Sequence, residues 1–347
     1  MKKRVLSILL TTAMVSLLLA GCGGTSGTGA AEPSEGTQAS EETDAAAPAE
    51  NEEASEETVQ GDYLVGFANN SDTYNYCAKF RTYLKEATEA KGISIMVTDA
   101  GGDTNVQNGQ IDDFIVQNAN AVSAISNDLD GSVPALEAAK TAGIPYVSFL
   151  TSVSGGDDYE GYIYVGSPNY DAGKAQGEYL CEVLPENAQI LYFTGEPNDQ
   201  QYIDRKQGLE EALAARDDIT ILDEYNVQNS KDQGMSTTED SLLSYDSFNA
   251  IVCQNDDAAL GVVEALKSAG KLDGSILVLG VDGSDEALQS IVSGEMAMTA
   301  LQDAKAQAQA GADIFEQLKG GTSPADIDDV YIPFKIVTVD NVNDYLE

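Results

Sequence analysis

The chain has 347 residues, 58 Asp and Glu against 18 Lys and Arg for a formal net charge of −40, and neither His nor Trp. Without His there is no Ser-His-Asp or Cys-His nucleophile, no His-bearing zinc site and no His-ligated haem, and the shortage of cationic side chains argues against nucleic acid and anionic lipid as partners. A hydrophobic content of 42% still supports a sizeable core, and the length suggests two lobes.

Lys2, Lys3 and Arg4 precede a run from Val5 to Ala20 that is apolar apart from Ser and Thr. This is the pattern of a secretory signal, and the run is shorter than the roughly 20 residues a spanning helix needs. Leu19-Ala20-Gly21-Cys22 resembles the bacterial lipobox. The resemblance implies a signal peptide over residues 1–21 and diacylation of Cys22, and two acyl chains on one residue give the stable anchoring that one chain does not. Residues 22–61 then carry 10 acidic side chains between Glu32 and Glu57, no Lys or Arg, and little that is apolar. Such a segment cannot offset its ordering entropy by burial, so a disordered tether of roughly 30–40 Å is expected. Residues 62–347 keep 48 acidic and 15 basic side chains, a net −33 suited to an extracytoplasmic, soluble domain. Besides Cys22, the cysteines are Cys77, Cys181 and Cys253, without CxxC spacing. At most one disulfide is possible, and buried free thiols are expected.

From Asp62 onward, short β-type apolar runs alternate with helical patterns, which predicts parallel sheets covered by helices. Strands are expected over Tyr63–Ala68, Ser94–Thr98, Ala121–Ile125, Tyr146–Phe149 and Tyr162–Val165. A second series follows at Ile190–Phe193, Thr220–Tyr225, Ala250–Cys253, Leu277–Val281 and Ala297–Leu301. Helices are expected at Cys77–Ala90, Ala135–Thr141, Ala172–Val183, Arg205–Ala215, Ala258–Ser268 and Asp285–Ser293. Two such series imply two similar α/β lobes, and ligands of these sheets bind beyond the carboxyl ends of the strands. Ser126-x-Asp128-x-Asp130-Gly131 with Glu137 resembles an EF-hand loop, but its first position is Ser, and Pro134 suits the first turn of a helix after a strand. Gly173-Lys174-Ala175 lacks the earlier Gly and the Ser/Thr of a P-loop, and there is no G-x-S-x-G. No metal site, cofactor or catalytic group is therefore expected.

Several segments, in order, resemble the type I periplasmic binding proteins of ABC sugar importers, above all the galactose/glucose-binding and ribose-binding proteins. They are Gln107-Asn108-Gly109-Gln110-Ile111, Ile163-Tyr164-Val165-Gly166-Ser167, Gly195-Glu196-Pro197 to Arg205, Gln254-Asn255-Asp256-Asp257-Ala258-Ala259-Leu260-Gly261, Gly280-Val281-Asp282-Gly283 and Leu301-Gln302-Asp303. The resemblance covers Asp62 to Glu347. It implies an N-terminal lobe of residues 62–166 plus 304–333 and a C-terminal lobe of 167–303 plus 334–347. Three crossings near Gly166-Ser167, Gln302-Asp303 and Pro333-Phe334 would form the hinge. It also implies a non-enzymatic monomer that clamps a monosaccharide, a hexose or pentose, and hands it to ABC permease subunits, touching the membrane only through its anchor.

Carried over by residue, the resemblance places Arg205, Asn255, Asp282 and Gln302 on sugar hydroxyls and Tyr76 on a sugar face; fork, amide and carboxylate chemistry suits groups that both donate and accept. Departures are Tyr74 at a polar position, Leu150 with Thr151 after the Ile144-Pro145 strand, Asp199 and Gln201 for a His and an Asp, and Asn229 for a Trp. The calcium loop of the galactose/glucose type has no counterpart. Other readings stay open: Arg205 as a surface residue at a helix start, Asp282 as a loop or cap carboxylate, Asn255-Asp256 as turn chemistry. The same domain could serve a kinase or chemoreceptor, or bind a polyol or nucleoside, and two carboxylates of an acidic glycosidase are the enzymatic alternative.

Overall fold

The computed structural model describes residues 63–195 and 199–346; the signal, Cys22 and tether expectations lie outside them. Among the described residues no helix is long and apolar enough to cross a membrane.

The first sheet has the order β11-β5-β4-β3-β1-β2, built from β1 (Leu64–Asn69), β2 (Ser94–Asp99), β3 (Ala121–Ile125), β4 (Tyr146–Phe149), β5 (Tyr162–Gly166) and β11 (Val330–Tyr331). The second runs β12-β10-β9-β8-β6-β7, from β6 (Gln189–Thr194), β7 (Thr220–Asn226), β8 (Ala250–Cys253), β9 (Leu277–Asp282), β10 (Met298–Leu301) and β12 (Lys335–Thr338). Every pairing is parallel except β10 with β12. Central strands such as β3, β4 and β8 are buried along their whole length, which is why they read as apolar runs broken only by the small, hydrogen-bonded Ser123 and Ser148. The chain passes between sheets after β5, after β10 and between β11 and β12, the three expected crossings.

Nine helices among the described residues cover the sheets: α1 (Asn75–Ala90), α2 (Thr104–Val116), α3 (Val133–Ala142), α4 (Asn169–Val183), α5 (Gln200–Leu213), α6 (Lys231–Ser244), α7 (Asp256–Ser268), α8 (Asp285–Val292) and α9 (Ala304–Lys319). Helix α5 starts five residues before its expected first turn because Asp199 caps it, accepting from the Gln201 amide at 2.9 Å. The strand readings named neither β11 nor β12, and the helical patterns missed α2, α6 and α9. The buried positions of α6 are Gly234, Thr238 and Ser241, so it shows no apolar stripe of large residues, while α9 buries Ala304, Gln307, Ala308 and Gly311 first and its large apolar residues Ile314, Phe315 and Leu318 only toward its C-terminal end. Helices α6 and α7 meet backbone to backbone at Gly234 and Gly261.

The first-lobe core is an aromatic cluster of Phe67, Phe80, Phe149 and Phe315 with centroids 4.9–6.3 Å apart. Phe315 belongs to α9, which packs on α1 although it follows a strand of the second sheet. Cys77 and Cys253 are buried free thiols; Cys181 is also free but only half-buried.

Candidate ligand-binding site

The carboxyl ends of both sheets face one another and enclose two cavities. The larger, about 430 Å³, is lined by Asn75, Tyr76, Asp257, Asp282 and Gln302 among others. The smaller, about 390 Å³, is lined by Asn70, Tyr74, Asn127, Thr151, Asp199 and Asn229 among others. Each takes side chains from both lobes at the side of the strand carboxyl ends, where open α/β sheets bind ligands. The lobes touch at the rim: Asn75 Nδ2 donates to Asp257 Oδ1 at 2.6 Å, and Lys79 Nζ pairs with Asp285 at 2.9 Å.

Of the residues expected at the site, Tyr76, Asp282 and Gln302 share the larger cavity and Tyr74, Thr151 and Asp199 the smaller; Arg205, Gln201 and Asn255 line neither. Asn255 is the N-cap of α7: its Oδ1 accepts from the Ala258 amide (3.1 Å) and its Nδ2 donates to the Asn229 carbonyl (2.9 Å). Thr151 Oγ1 donates to the Ser126 carbonyl at 2.9 Å. Leu150, with φ +62°, is turned into the first-lobe core. In the discounted EF-hand loop, Asp128 Oδ1 accepts from the Asp130 and Gly131 amides, and the described residues contain no acidic, Cys or His cluster that could hold a metal.

Arg205 is only 4% exposed. It is held there by the contact of α4 with α5, where Gly173 and Gly208 let two backbones meet. Its Nε donates to Asn169 Oδ1 (3.0 Å), its Nη2 to Gln201 Oε1 (3.2 Å) and its Nη1 to the Gln254 carbonyl, and Phe334 lies 6.0 Å from its Cζ. Its charge reaches both cavities, opposing the rise that burial imposes on the carboxyls of Asp199 and Asp282.

Asp282 has φ +123°, a region that costs a residue with a side chain on the order of 1–3 kcal/mol and that clusters at functional sites. Burial holds its carboxyl well above the usual carboxylate range, and neighbouring Asp256 adds to the rise. Burial likewise pushes Asp256 up to about 7, although Oδ1 accepts from Thr299 Oγ1 (2.8 Å) and Oδ2 from the Ser284 amide (2.7 Å).

Residue patterns had not singled out Asn70 and Asn127, which lie just after β1 and β3 at the smaller cavity. Asn70 Oδ1 and Asn127 Nδ2 are buried without a hydrogen-bond partner, a state that asks for a ligand or water. The available signal was an amide directly after a buried apolar run. Gln107 and Gln176 support the strand ends symmetrically: Gln107 Nε2 donates to the Ala68 and Ile125 carbonyls and Gln176 Nε2 to those of Cys253 and Gly280.

Two α/β lobes closing on polar cavities at their strand ends define a binding protein for a small, hydroxyl-rich solute. The chain belongs to the periplasmic binding protein domain family, which matches residues 65–323. It is 29% identical over 275 residues to a putative rhizopine-binding protein of Rhizobium meliloti, covering 77% of this chain and 88% of that one. It is 30% identical over 226 residues to the D-apiose import binding protein of Actinobacillus succinogenes, covering 65% and 72%. An ABC transporter solute-binding protein from Bacillus halodurans C-125, solved with bound myo-inositol, superposes with a TM-score of 0.74 at 27% identity, over 82% of this chain and 97% of that one. The family consists of extracytoplasmic substrate-binding proteins and not enzymes.

Proposed function

We propose that the protein is the solute receptor of an ABC importer: an extracytoplasmic lipoprotein, anchored through Cys22, that closes on one monosaccharide or cyclic polyol and presents the closed form to the permease. It acts as a monomer and touches the membrane only through its acyl chains. The observation that carries this reading is the larger cavity, where Tyr76 of one lobe faces Asp282 and Gln302 of the other. A ring would lie on the Tyr76 face while the Asp282 carboxyl and the Gln302 amide take its hydroxyls. The relatives named for rhizopine and D-apiose, and the solved neighbour that holds myo-inositol, support a small cyclic polyol or pentose.

Thermal melting of the full chain with pentoses, hexoses, inositols, alditols and nucleosides tests this. A true ligand at 100 times its Kd stabilises by about 2.7 kcal/mol, and calorimetry then gives its stoichiometry, expected to be one. If no sugar or polyol raises the melting temperature, the proposed ligand class is wrong.

A further inference from the structure

Gln307 lines neither cavity and is fully buried, yet it connects the ligand-facing side chains to the hinge. It sits on α9, one turn after the β10 crossing. Its Oε1 accepts from the Tyr76 hydroxyl at 2.6 Å and, at 3.4 Å, from Nε2 of Gln302. Its Nε2 donates to Ser167 Oγ at 2.7 Å. Ser167 is 3% exposed and directly follows β5, at the first crossing, while Gln302, 5% exposed, opens the second. One amide therefore joins a first-lobe aromatic, the second-lobe amide and the side chain of Ser167 at the first crossing. A primary amide is the neutral side chain that accepts two hydrogens on one atom and donates from the other. All four members are at least half-buried, so water cannot substitute easily when a partner is lost.

We propose that Gln307 is a positioning residue that locks Tyr76 and Gln302 to the Gly166–Ser167 crossing, so that the cavity takes its ligand-complementary shape only as the lobes close. This rests on the larger cavity being the ligand site. Because one network sets both the side-chain positions and the hinge turn, rotation about the crossings cannot proceed without moving Tyr76, which is how hinge motion becomes cavity shape.

The test compares the full-length wild type with Gln307→Leu, which keeps the volume but neither accepts nor donates, and with Gln307→Asn, which keeps the chemistry but shortens the reach. Hydrogen exchange is followed without ligand at residues 74–80, 162–169 and 298–307. In Gln307→Leu, exchange is expected to rise about tenfold or more in these three segments and to stay unchanged in β3, β4 and β8. A uniform rise would mean general destabilisation, and no rise would mean that the network does not hold the crossings; either result overturns the proposal. In a second arm, calorimetry with myo-inositol is expected to show affinity reduced roughly 10- to 100-fold in Gln307→Leu, the effect of leaving buried groups unpaired. In this arm Tyr76→Phe in the Gln307→Leu background is expected to cost little more than Gln307→Leu alone. If wild type binds no myo-inositol or related polyol, the function reading fails while the exchange arm still decides the role of Gln307. Should the Leu variant fail to fold, Gln307→Asn carries both arms, and wild-type exchange and affinity in it would refute the proposal.

Discussion

Substituting Gly173 by Ala tests whether the contact between α4 and α5 places Arg205. A Cβ on Gly173 would lie 1.8 Å from the Arg205 carbonyl oxygen, 2.6 Å from its carbonyl carbon and 2.8 Å from its Cα. These are backbone atoms, so no side chain can swing away. Reaching ordinary contact near 3.4 Å requires α5 to withdraw by about 1.5 Å. The opposite side of the contact cannot absorb the shift, because Gly208 meets the Tyr170 carbonyl in the same way. Overpacking of this kind costs about 1–3 kcal/mol. A shift of that size also stretches the Arg205 bond to Asn169 on α4, now 3.0 Å, beyond hydrogen-bond range. That bond adds about 1 kcal/mol, so a loss of about 2–4 kcal/mol is expected. At 2–4 °C per kcal/mol, differential scanning calorimetry should show a drop of roughly 4–16 °C. Gly109→Ala is the control: Gly109 lies within α2 and a Cβ there meets nothing within 4 Å. Relief of glycine's entropy should raise stability there by about 0.5–1 kcal/mol. A Gly173→Ala protein melting with the wild type would refute the argument that this contact fixes α5 and Arg205.

Asp282→Gly should raise the melting temperature, since glycine adopts φ +123° freely and a carboxyl that burial disfavours is removed; the same change should lower affinity for the identified polyol at least tenfold. A variant that melts lower would show that no strain is stored there. A pH series from 5 to 8 should show stability falling as pH rises. An unfolded Asp titrates near 4, whereas buried Asp256 holds its proton up to about 7 and Asp282 is raised too. The folded state thus binds more protons across this window, and the stabilisation present at low pH is lost as pH passes the folded pKa. Asp256→Asn should flatten the slope, and a melting temperature that climbs from pH 5 to 8 would contradict the assignment.

The strands were legible because parallel sheets covered on both faces demand nearly continuous apolar runs, and β3, β4, β6 and β8 are such runs. Helix α6 lies on α7 through Gly and carries no comparable signal, and the first turns of α9 bury Ala and Gln before its large apolar residues begin, which hid both helices and with α9 the position of Gln307. Helix α2 was hidden because Gln107 occupies a core position for the sake of strand-end carbonyls, interrupting the apolar stripe completed by Ile111 and Phe114. At the site, the family resemblance pointed to Asp282 and Gln302, which line the larger cavity. Spacing could not reveal that Asn255 spends both ends of its amide on a cap and the Asn229 carbonyl, because each of those partners is set by tertiary geometry.

The same distinction explains an otherwise costly arrangement at Arg205. A guanidinium at 4% exposure ordinarily demands a carboxylate, yet among the described residues no ion pair joins Arg205 to an acid, and its donors go to Asn169, Gln201 and the Gln254 carbonyl. Through space its charge nevertheless opposes part of the rise that burial imposes on Asp199 and Asp282. A direct fork onto Asp282 would satisfy both oxygens and remove them from the cavity. Binding the cation to neutral groups keeps its field on both cavities and leaves the Asp282 carboxyl, which lines the larger one, without a fork from Arg205. In a domain of net −33, Arg205 is thus a buried cation whose charge limits, without cancelling, the rise that burial imposes on two carboxyls.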